Sequence, residues 1–194
     1  MTESASTPRL RATFAIYLAL IVATAVIGPQ GIPAAWHYLT GLLGFTFVAA
    51  ACLGRIWCSL FIAGHKDELL ITTGPYALCR HPLYSLSVLG ALGLGLTSGS
   101  VILCSLVVML IAALVIYAAS CEEQFLADSF PDQFKAYLAA TPNKWLPRFQ
   151  RTPLPAVLDV RPAVFWKAFL DAGSFFVLWV LVAMAAEFRA FHTF

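Results

Sequence analysis

Four apolar segments, each about as long as a lipid bilayer is thick, dominate this chain of 194 residues. A membrane-spanning α-helix needs about 20 predominantly apolar residues. The segments run roughly from Arg11 to Gly28, Tyr38 to Ala63, Val101 to Ser120 and Phe169 to Ala186. Charged residues make up only 11% of the chain, whereas soluble domains carry about a quarter. The sequence therefore predicts a multi-pass membrane protein rather than a soluble domain.

A fifth apolar segment, from about Leu83 to Leu96, is shorter than the other four. Thr97-Ser98-Gly99-Ser100 joins it to the segment that begins at Val101, and such small residues are typical of a tight turn. We therefore expect a helical hairpin here, within an all-α bundle of about five transmembrane helices. We treat residues 1–194 as a single domain, with a motif-bearing core at about 55–149 and an additional C-terminal membrane helix at about 167–187.

Five crossings would place the connecting segments on alternate sides of the membrane. The Lys and Arg residues are distributed unevenly between these two sides. If the N-terminus is cytoplasmic, ten of the twelve lie on the cytoplasmic side, Arg55 lies within the second span, and Arg189 falls outside. Because cytoplasmic loops are enriched in Lys and Arg, we expect a cytoplasmic N-terminus and an external C-terminus. The short loops suit a bacterial inner membrane. The first apolar run has full span length and no convincing cleavage pattern, so we expect no cleavable signal peptide.

The five cysteines contain no Cys-x-x-Cys pair. Three of them lie within predicted spans, where Cys behaves as a small apolar residue. An odd number without metal-ligand spacing predicts neither a disulfide framework nor a zinc site. We expect no bound metal ion and no nucleic-acid partner, and the sequence does not indicate an oligomeric state.

The stretch that points most strongly to chemistry lies between two apolar segments and is Gly74-Pro75-Tyr76-Ala77-Leu78-Cys79-Arg80-His81-Pro82-Leu83-Tyr84. Arg80 and His81 can donate hydrogen bonds to an anionic or polar ligand, and two prolines restrict the backbone that presents them. The alternative is an Arg that binds lipid headgroups beside an uninvolved His. Tyr76 and Tyr84 flank the pair, and Gly74 permits a close chain reversal, so the pattern favours a small pocket.

A second polar segment, from Cys121 to Pro162, is long enough to fold over the first. Its first ten residues are predicted to continue the preceding helix, and Pro131 suits the first turn of a short helix through Ala140. An interfacial strip at the lipid headgroups is indicated by Trp145, Pro147 and Phe149, mixed with Lys144 and Arg148. The Pro-rich stretch from Arg151 to Pro162 predicts an irregular link to the last span.

Glu122 and Glu123 are locally unfavourable near a helix C-terminus, because adjacent carboxylates repel each other and oppose the helix dipole. Burying a carboxylate at the membrane edge also costs free energy unless it has a partner. The two side chains therefore have two alternative roles. They project into the cytosol and pair with Lys135 or Arg148, or one of them accepts hydrogen bonds from an ammonium group or ribose hydroxyls of a ligand.

Charged residues inside the apolar segments are few. Arg55, near the end of the second span, either extends its charged head toward the lipid headgroups or contacts the ligand or the Glu pair. Lys167 and Asp171 stand four residues apart at the entry to the last span, a spacing that lets two side chains pair on one helix face. We expect that pair to be structural.

In order and spacing, these features resemble the isoprenylcysteine carboxyl methyltransferase family, whose superfamily also includes phospholipid N-methyltransferases. The resemblance covers roughly Arg55 to Phe149. It rests on Glu68-Leu69-Leu70-Ile71-Thr72-Thr73, Gly74-Pro75-Tyr76, Arg80-His81-Pro82-Leu83-Tyr84, the hairpin, Glu122-Glu123, Leu126, Phe130 and Tyr137. It implies an integral membrane methyltransferase that uses S-adenosyl-L-methionine, enclosed by the cytoplasmic ends of the hairpin helices and the C-terminal segment. It also implies a lipophilic substrate that enters from the bilayer.

The resemblance implies functional roles for the residues of this chain at the matching positions. It implies a cofactor pocket lined by Leu70, Gly74, Tyr76, Arg80, His81, Pro82 and Tyr84, with Glu122 and Glu123 holding polar groups of the cofactor. The candidates for catalysis are Glu122, Glu123 and Arg55. The acceptor is expected to be the carboxylate or amine of a prenylated, lipid or similar small molecule. Neither motif offers an obvious base facing the membrane, and a protonated amine must first lose a proton, so a carboxylate or an uncharged acceptor is favoured.

The chain departs from the family pattern at several positions. Many members carry a basic residue where this chain has Ala118, a Gly where it has Pro131, and a Tyr where it has Phe134. A further Gly of many members is missing here, where the chain has Ser85-Leu86. These departures predict a retained cofactor site and a specialised substrate end. Two alternatives stay open: a membrane NADPH-dependent reductase of related architecture, and a non-catalytic membrane scaffold. The short chain and the lack of an obvious basic cluster for a 2′-phosphate disfavour the reductase.

Overall fold

Helices form most of the described part of the chain. A computed structural model describes residues 3–27, 36–63, 69–148 and 154–191; Glu68 and Phe149 lie outside these ranges. Within them there is no strand, and the seven helices are α1 (Glu3–Ile27), α2 (His37–Ile62), α3 (Pro75–Leu78), α4 (Pro82–Thr97), α5 (Val101–Ser129), α6 (Pro131–Ala140) and α7 (Pro162–Phe191). The predicted all-α architecture is confirmed.

Among the described residues, four helices are long and apolar enough to cross a membrane: α1, α2, α5 and α7. The apolar helix α4 has only 16 residues. Its length is therefore about 24 Å, less than the roughly 30 Å of a bilayer's hydrocarbon core. Every residue of α4 is buried or half-buried, because α2, α5 and α7 pack around it. The fifth predicted span is thus a short central helix enclosed by longer ones.

The outward faces of the long helices are apolar. Large exposed side chains include Leu18 and Val22 on α1, Leu53 on α2, Met109 on α5 and Val177 on α7. Contiguous apolar surface of this kind is unfavourable in water, whereas helices satisfy their own backbone hydrogen bonds and can place such faces against lipid. The chain is an integral membrane protein.

The hydrophobic core lies where five helices meet. Each helix contributes a buried side chain, and examples are Tyr17 from α1, Val48 from α2, Leu94 from α4, Ile111 from α5 and Phe175 from α7. The rings of Tyr17 and Phe175 meet edge to face, with centroids 6.0 Å apart, which is a favourable aromatic geometry. The last helix therefore packs into the same core as the hairpin.

The turn between α4 and α5 uses the small residues that predicted it. Gly99 has a φ of 69°, which residues with a side chain rarely adopt. The Ser98 hydroxyl donates to the carbonyl of Gly95 at 2.6 Å. The Ser100 hydroxyl accepts the N–H of Leu103 at 3.4 Å and so caps α5. The predicted helical hairpin is confirmed.

The second polar segment also follows the predicted pattern. Helix α5 continues well beyond the length of a span, and Pro131 stands in the first turn of α6. Phe134 and Tyr137 are the buried residues of α6, so this short helix packs through an apolar face. Residues 154–161 contain no helix, in agreement with the predicted irregular link.

Helices α2 and α4 approach each other closely at Gly44 and Gly93. A methyl group on Gly44 would lie 2.7 Å from the carbonyl oxygen of Gly93, whereas a methyl group on Gly41 would meet nothing within 4 Å. We expect Gly44→Ala to lower the free energy of unfolding in detergent by about 1–3 kcal/mol relative to Gly41→Ala. Both variants share the same gain in helix propensity. Equal stabilities in a denaturant titration would contradict this packing.

Candidate functional site

The polar motif begins with a tight turn packed against the end of α2. Gly74 has a φ of 60°, and its Cα faces the ring of Phe61, so a side chain there would be both strained and blocked. Pro75 begins α3, and Tyr76 joins Cys58 and Phe61 in a small buried cluster. Gly74 therefore shapes the turn that presents the motif.

Residues 142–148, called the strap segment here, hold the motif through backbone hydrogen bonds. The N–H groups of Arg80 and His81 donate to the carbonyls of Asn143 and Lys144, at 3.0 and 3.1 Å. The strap lies at least 60 residues further along the chain than the groups of residues 78–85 that it binds. Tertiary packing, and not local sequence alone, therefore fixes the backbone of Arg80 and His81.

Glu123 is the centre of an ion-pair cluster. Its Oε1 accepts from Arg80 Nη1 at 3.1 Å and lies 2.8 Å from His81 Nε2, and its Oε2 accepts from Lys144 Nζ at 2.9 Å. Three nitrogen-bearing side chains from the motif and the strap therefore converge on one carboxylate. These partners replace the two cations that the sequence suggested for the Glu pair, Lys135 and Arg148.

The imidazole of His81 has two aromatic rings and two carboxylates as neighbours. Its ring stacks with Tyr84 at a centroid distance of 5.6 Å and meets Trp145 at 5.4 Å. Its Nδ1 lies 4.0 Å from Glu122 Oε2, on the opposite side from Glu123. Only 5% of His81 is exposed, so its orientation is determined by its neighbours.

A cavity of about 790 Å³ opens beside this cluster. Eight of the ten predicted site residues line it: Leu70, Tyr76, Arg80, His81, Pro82, Tyr84, Glu122 and Arg55. The other two, Gly74 and Glu123, are not part of the lining. Glu122 faces the cavity, whereas Glu123 binds the side chains of Arg80, His81 and Lys144 and does not line the cavity. The structure thus gives the two adjacent acids different positions.

Several cavity-lining residues carry buried donors without a partner. In the described ranges, the buried side-chain atoms that lack a hydrogen bond are Arg55 Nε, Tyr76 Oη, Arg80 Nε and Trp179 Nε1. The first three belong to residues of this cavity. Burial raises the pKa of Tyr76 well above its usual value, so its hydroxyl stays protonated at neutral pH. Since an unpartnered buried polar group costs free energy, the cavity suits a ligand that supplies acceptor atoms.

The cysteine of the motif is buried and is a poor nucleophile. Cys79 is 1% exposed, and burial raises the pKa of its thiol to about 11. The reactive thiolate is therefore scarce at neutral pH. In the part of the chain that the structure describes, no three His, Cys, Asp or Glu side chains are grouped so that they could hold a metal ion. The motif thus brings Arg, His and Tyr side chains to the cavity, and α5 brings a carboxylate.

A second polar group lies on the wall of the same cavity, between α2, α4 and α7. Arg55 Nη1 donates to Ser87 Oγ at 2.6 Å, and Nη2 forms an ion pair with Asp171. Arg55 therefore pairs across to α7 instead of extending to the headgroups or contacting the Glu pair. The predicted pair between Lys167 and Asp171 is wrong, because the Asp171 carboxylate is directed at Arg55.

Sequence reasoning missed four residues that position the site: Ser87, Lys144, Trp145 and Asp171. The sequence pattern assigns Lys144 and Trp145 to an interfacial strip, whereas the structure places them against the Glu123 carboxylate and the His81 ring. No local pattern reveals these partners, because they are distant in the chain. For Asp171 a signal existed, since an acid within an apolar helix is itself evidence of a function or a buried partner.

Comparison with known proteins agrees with these features. The sequence profile of the phospholipid methyltransferase family matches residues 46–133, from α2 into α6. The cobalt-zinc-cadmium resistance protein CzcN of Cupriavidus metallidurans is 36% identical over 150 residues, which cover 77% of this chain and 67% of that protein. The nickel-cobalt-cadmium resistance protein NccN of Alcaligenes xylosoxydans xylosoxydans is 39% identical over 102 residues, covering 53% and 46%. No solved structure gives a significant match. The chain belongs to the phospholipid methyltransferase family.

Proposed function

We propose that this chain is an integral membrane methyltransferase that binds S-adenosyl-L-methionine and methylates a lipophilic acceptor. The observation that carries the proposal is the cavity of about 790 Å³ that the motif and Glu122 line together. Its volume falls within the roughly 300–1,000 Å³ of small-molecule sites. Membership of a methyltransferase family supports the reaction class.

The residues of the cavity fit the polar groups of this cofactor. Arg80 Nε and the Tyr76 hydroxyl are buried and without a partner among the described residues, and such donors suit its carboxylate and other acceptor atoms. The Glu122 carboxylate suits its ammonium group or ribose hydroxyls. When bound, the cofactor supplies a methyl group that its positive sulfur has already activated.

The task left to the protein is alignment, which can contribute about 7–11 kcal/mol to lowering a barrier. His81 is suited to this task because Glu123 holds one nitrogen and two aromatic rings contact the imidazole. The strap segment fixes the backbone of His81 through a hydrogen bond from its N–H to the carbonyl of Lys144. Side chains that are fixed in this way favour one orientation of a bound cofactor toward the acceptor.

The walls of the cavity support a lipophilic acceptor. Leu10 and Phe14 of α1 line the cavity and are 64% and 66% exposed. Leu114 and Leu178 continue the apolar wall inward. This apolar lining suits an acceptor that enters the cavity from the bilayer. The names of the two relatives refer to metal resistance and leave the acceptor to be identified by assay.

Thermal unfolding of the detergent-purified protein separates this proposal from the reductase. A ligand at about 100 times its Kd stabilises the folded state by about 2.7 kcal/mol. We expect S-adenosylhomocysteine to raise Tm and NADPH to leave it unchanged, and the converse result would favour the reductase. Transfer of label from the methyl-labelled cofactor into extractable lipid then tests catalysis. Binding without transfer to any lipid fraction would favour the scaffold.

We also propose that residues 1–194 form one domain whose motif faces the cytoplasm of a bacterial inner membrane. Ten of the twelve Lys and Arg residues support this orientation, and α7 shares the core of the family-matched helices. Alkaline phosphatase requires export to become active. We expect activity from a fusion after Phe194 and none from a fusion after Arg148, and an inactive C-terminal fusion would contradict the orientation.

A further inference from the structure

Arg55 and Asp171 form an ion pair between the apolar helices α2 and α7. Arg55 stands seven residues before the end of α2, about 10 Å along the helix axis, and Asp171 stands nine residues after the start of α7. Ionisable residues at such positions are costly and usually mark a functional site. The family match ends at residue 133, so the acidic partner comes from a helix outside it.

The guanidinium of Arg55 is only partly satisfied by the protein. Nη1 donates to Ser87 Oγ at 2.6 Å and reaches the carbonyl of Leu83 at 3.5 Å, and Nη2 pairs with Asp171. Nε is buried and has no partner among the described residues. The side chain is 14% exposed, while that of Asp171 is 51% exposed. The mostly buried cation is thus held in place, whereas its carboxylate partner is half exposed.

Lys167 gives Asp171 an alternative partner. It stands one helical turn earlier on α7 and lines the same cavity, and residues four apart on a helix can form an ion pair. If the Asp171 carboxylate turns to Lys167, the Nη2 and Nε donors of Arg55 become available together. Guanidinium donors arranged as a fork match the oxygens of a carboxylate or phosphate.

This group lies close to the cofactor end of the cavity. Arg55 donates to Leu83 and Ser87, which follow Pro82 by one and five residues on α4, so Ser87 is about 7.5 Å along the helix axis from Pro82. An amphiphile held there by its head would have an apolar wall beside its chain, including Phe175 and Leu178.

We propose that Arg55, Ser87 and Asp171 form a subsite for an oxyanion group of a membrane amphiphile, in which the oxyanion displaces Asp171 from Arg55 onto Lys167. The inference rests on the proposed function, because the amphiphile would be the methyl acceptor or its analogue. The competing explanation is that the pair only fastens α7 to α2. That explanation predicts a loss of stability when the pair is broken, without any gain of binding.

The test measures binding of dodecyl phosphate, dodecanoate and dodecylamine to the full chain in nanodiscs, with empty nanodiscs subtracted. The two anions are followed by ³¹P and carboxyl ¹³C chemical shifts. We expect the wild type to bind at least one anion at least tenfold more tightly than the amine, and the stronger of the two identifies the oxyanion. Binding of the amine as tightly as either anion, or binding of neither anion, would overturn the inference.

Three variants decide how the subsite works. Arg55→Met is expected to lose at least tenfold in anion affinity, and Asp171→Asn to gain at least threefold, because the competing carboxylate is gone. A gain cannot arise from misfolding, so unchanged or weaker binding by Asp171→Asn overturns the displacement. Arg189→Met is the matched control on α7 and should bind as the wild type does. S-adenosylhomocysteine affinity is measured on the same samples, so a failed cofactor site is distinguished from a failed anion subsite.

Discussion

Glu123→Gln is expected to lower both the stability of the protein and its affinity for S-adenosylhomocysteine. The substitution removes the charge on which Arg80, His81 and Lys144 converge. Breaking a buried ion pair costs about 3–5 kcal/mol, and partial exposure of Glu123 reduces this to about 2–3 kcal/mol. Because Arg80 and His81 then lose their position, we expect affinity to fall by about 30-fold to 150-fold.

Chemical denaturation without ligand and calorimetric titration with S-adenosylhomocysteine check this pair of effects. Asp128→Asn is the control, because Asp128 is an exposed acid on the same helix, and it should change neither quantity. Lys144→Gln removes one of the three partners and should reproduce part of the loss. A fully stable Glu123→Gln protein with normal affinity would show that the cluster does not organise the site.

Glu122→Gln is expected to weaken S-adenosylhomocysteine binding and leave the stability of the free protein nearly unchanged. Glu122 lines the cavity, and its nearest ion-pair partner, His81 Nδ1, is 4.0 Å away. The substitution therefore removes little stabilising interaction from the free protein, but a bound ligand loses the Glu122 carboxylate as a hydrogen-bond acceptor. A hydrogen bond to a charged group contributes about 1.5–3 kcal/mol, which corresponds to about a tenfold to 150-fold loss of affinity.

The contrast between the two adjacent acids is the informative result. We expect Glu123→Gln to change both stability and affinity, and Glu122→Gln to change affinity alone. Calorimetry of both variants beside denaturation curves in the same detergent gives the comparison. If Glu122→Gln binds as tightly as the wild type, Glu122 does not contact the cofactor.

The helical architecture could be predicted because it depends on local sequence. Apolar run length identified the four long helices, and Ser98 and Gly99 identified the hairpin turn. Pro131 marked the start of α6. The short α4 was predicted as a fifth span, and its enclosure by other helices was not visible, because burial against neighbours depends on how helices assemble rather than on composition.

The candidate site could be predicted only where its residues are contiguous. Tyr76, Arg80 and His81 stand within six positions, and all three line the cavity. The difference between Glu122 and Glu123 was invisible, because neighbouring residues on a helix point about 100° apart and only the tertiary fold decides which one faces the cavity. Lys144 and Asp171 have partners 21 and 116 residues away, so spacing carries no information about their pairing.

Calorimetric titration with S-adenosylhomocysteine of the wild type, His81→Ala and His37→Ala tests the central claim most directly. His81 lines the proposed cofactor cavity, whereas His37 lines a separate cavity beside Trp179 and serves as the matched control. We predict micromolar binding by the wild type and His37→Ala, and a loss of at least a hundredfold in His81→Ala. Absence of binding by a folded wild-type protein, or equal binding by His81→Ala, would contradict the assignment of this cavity to the cofactor.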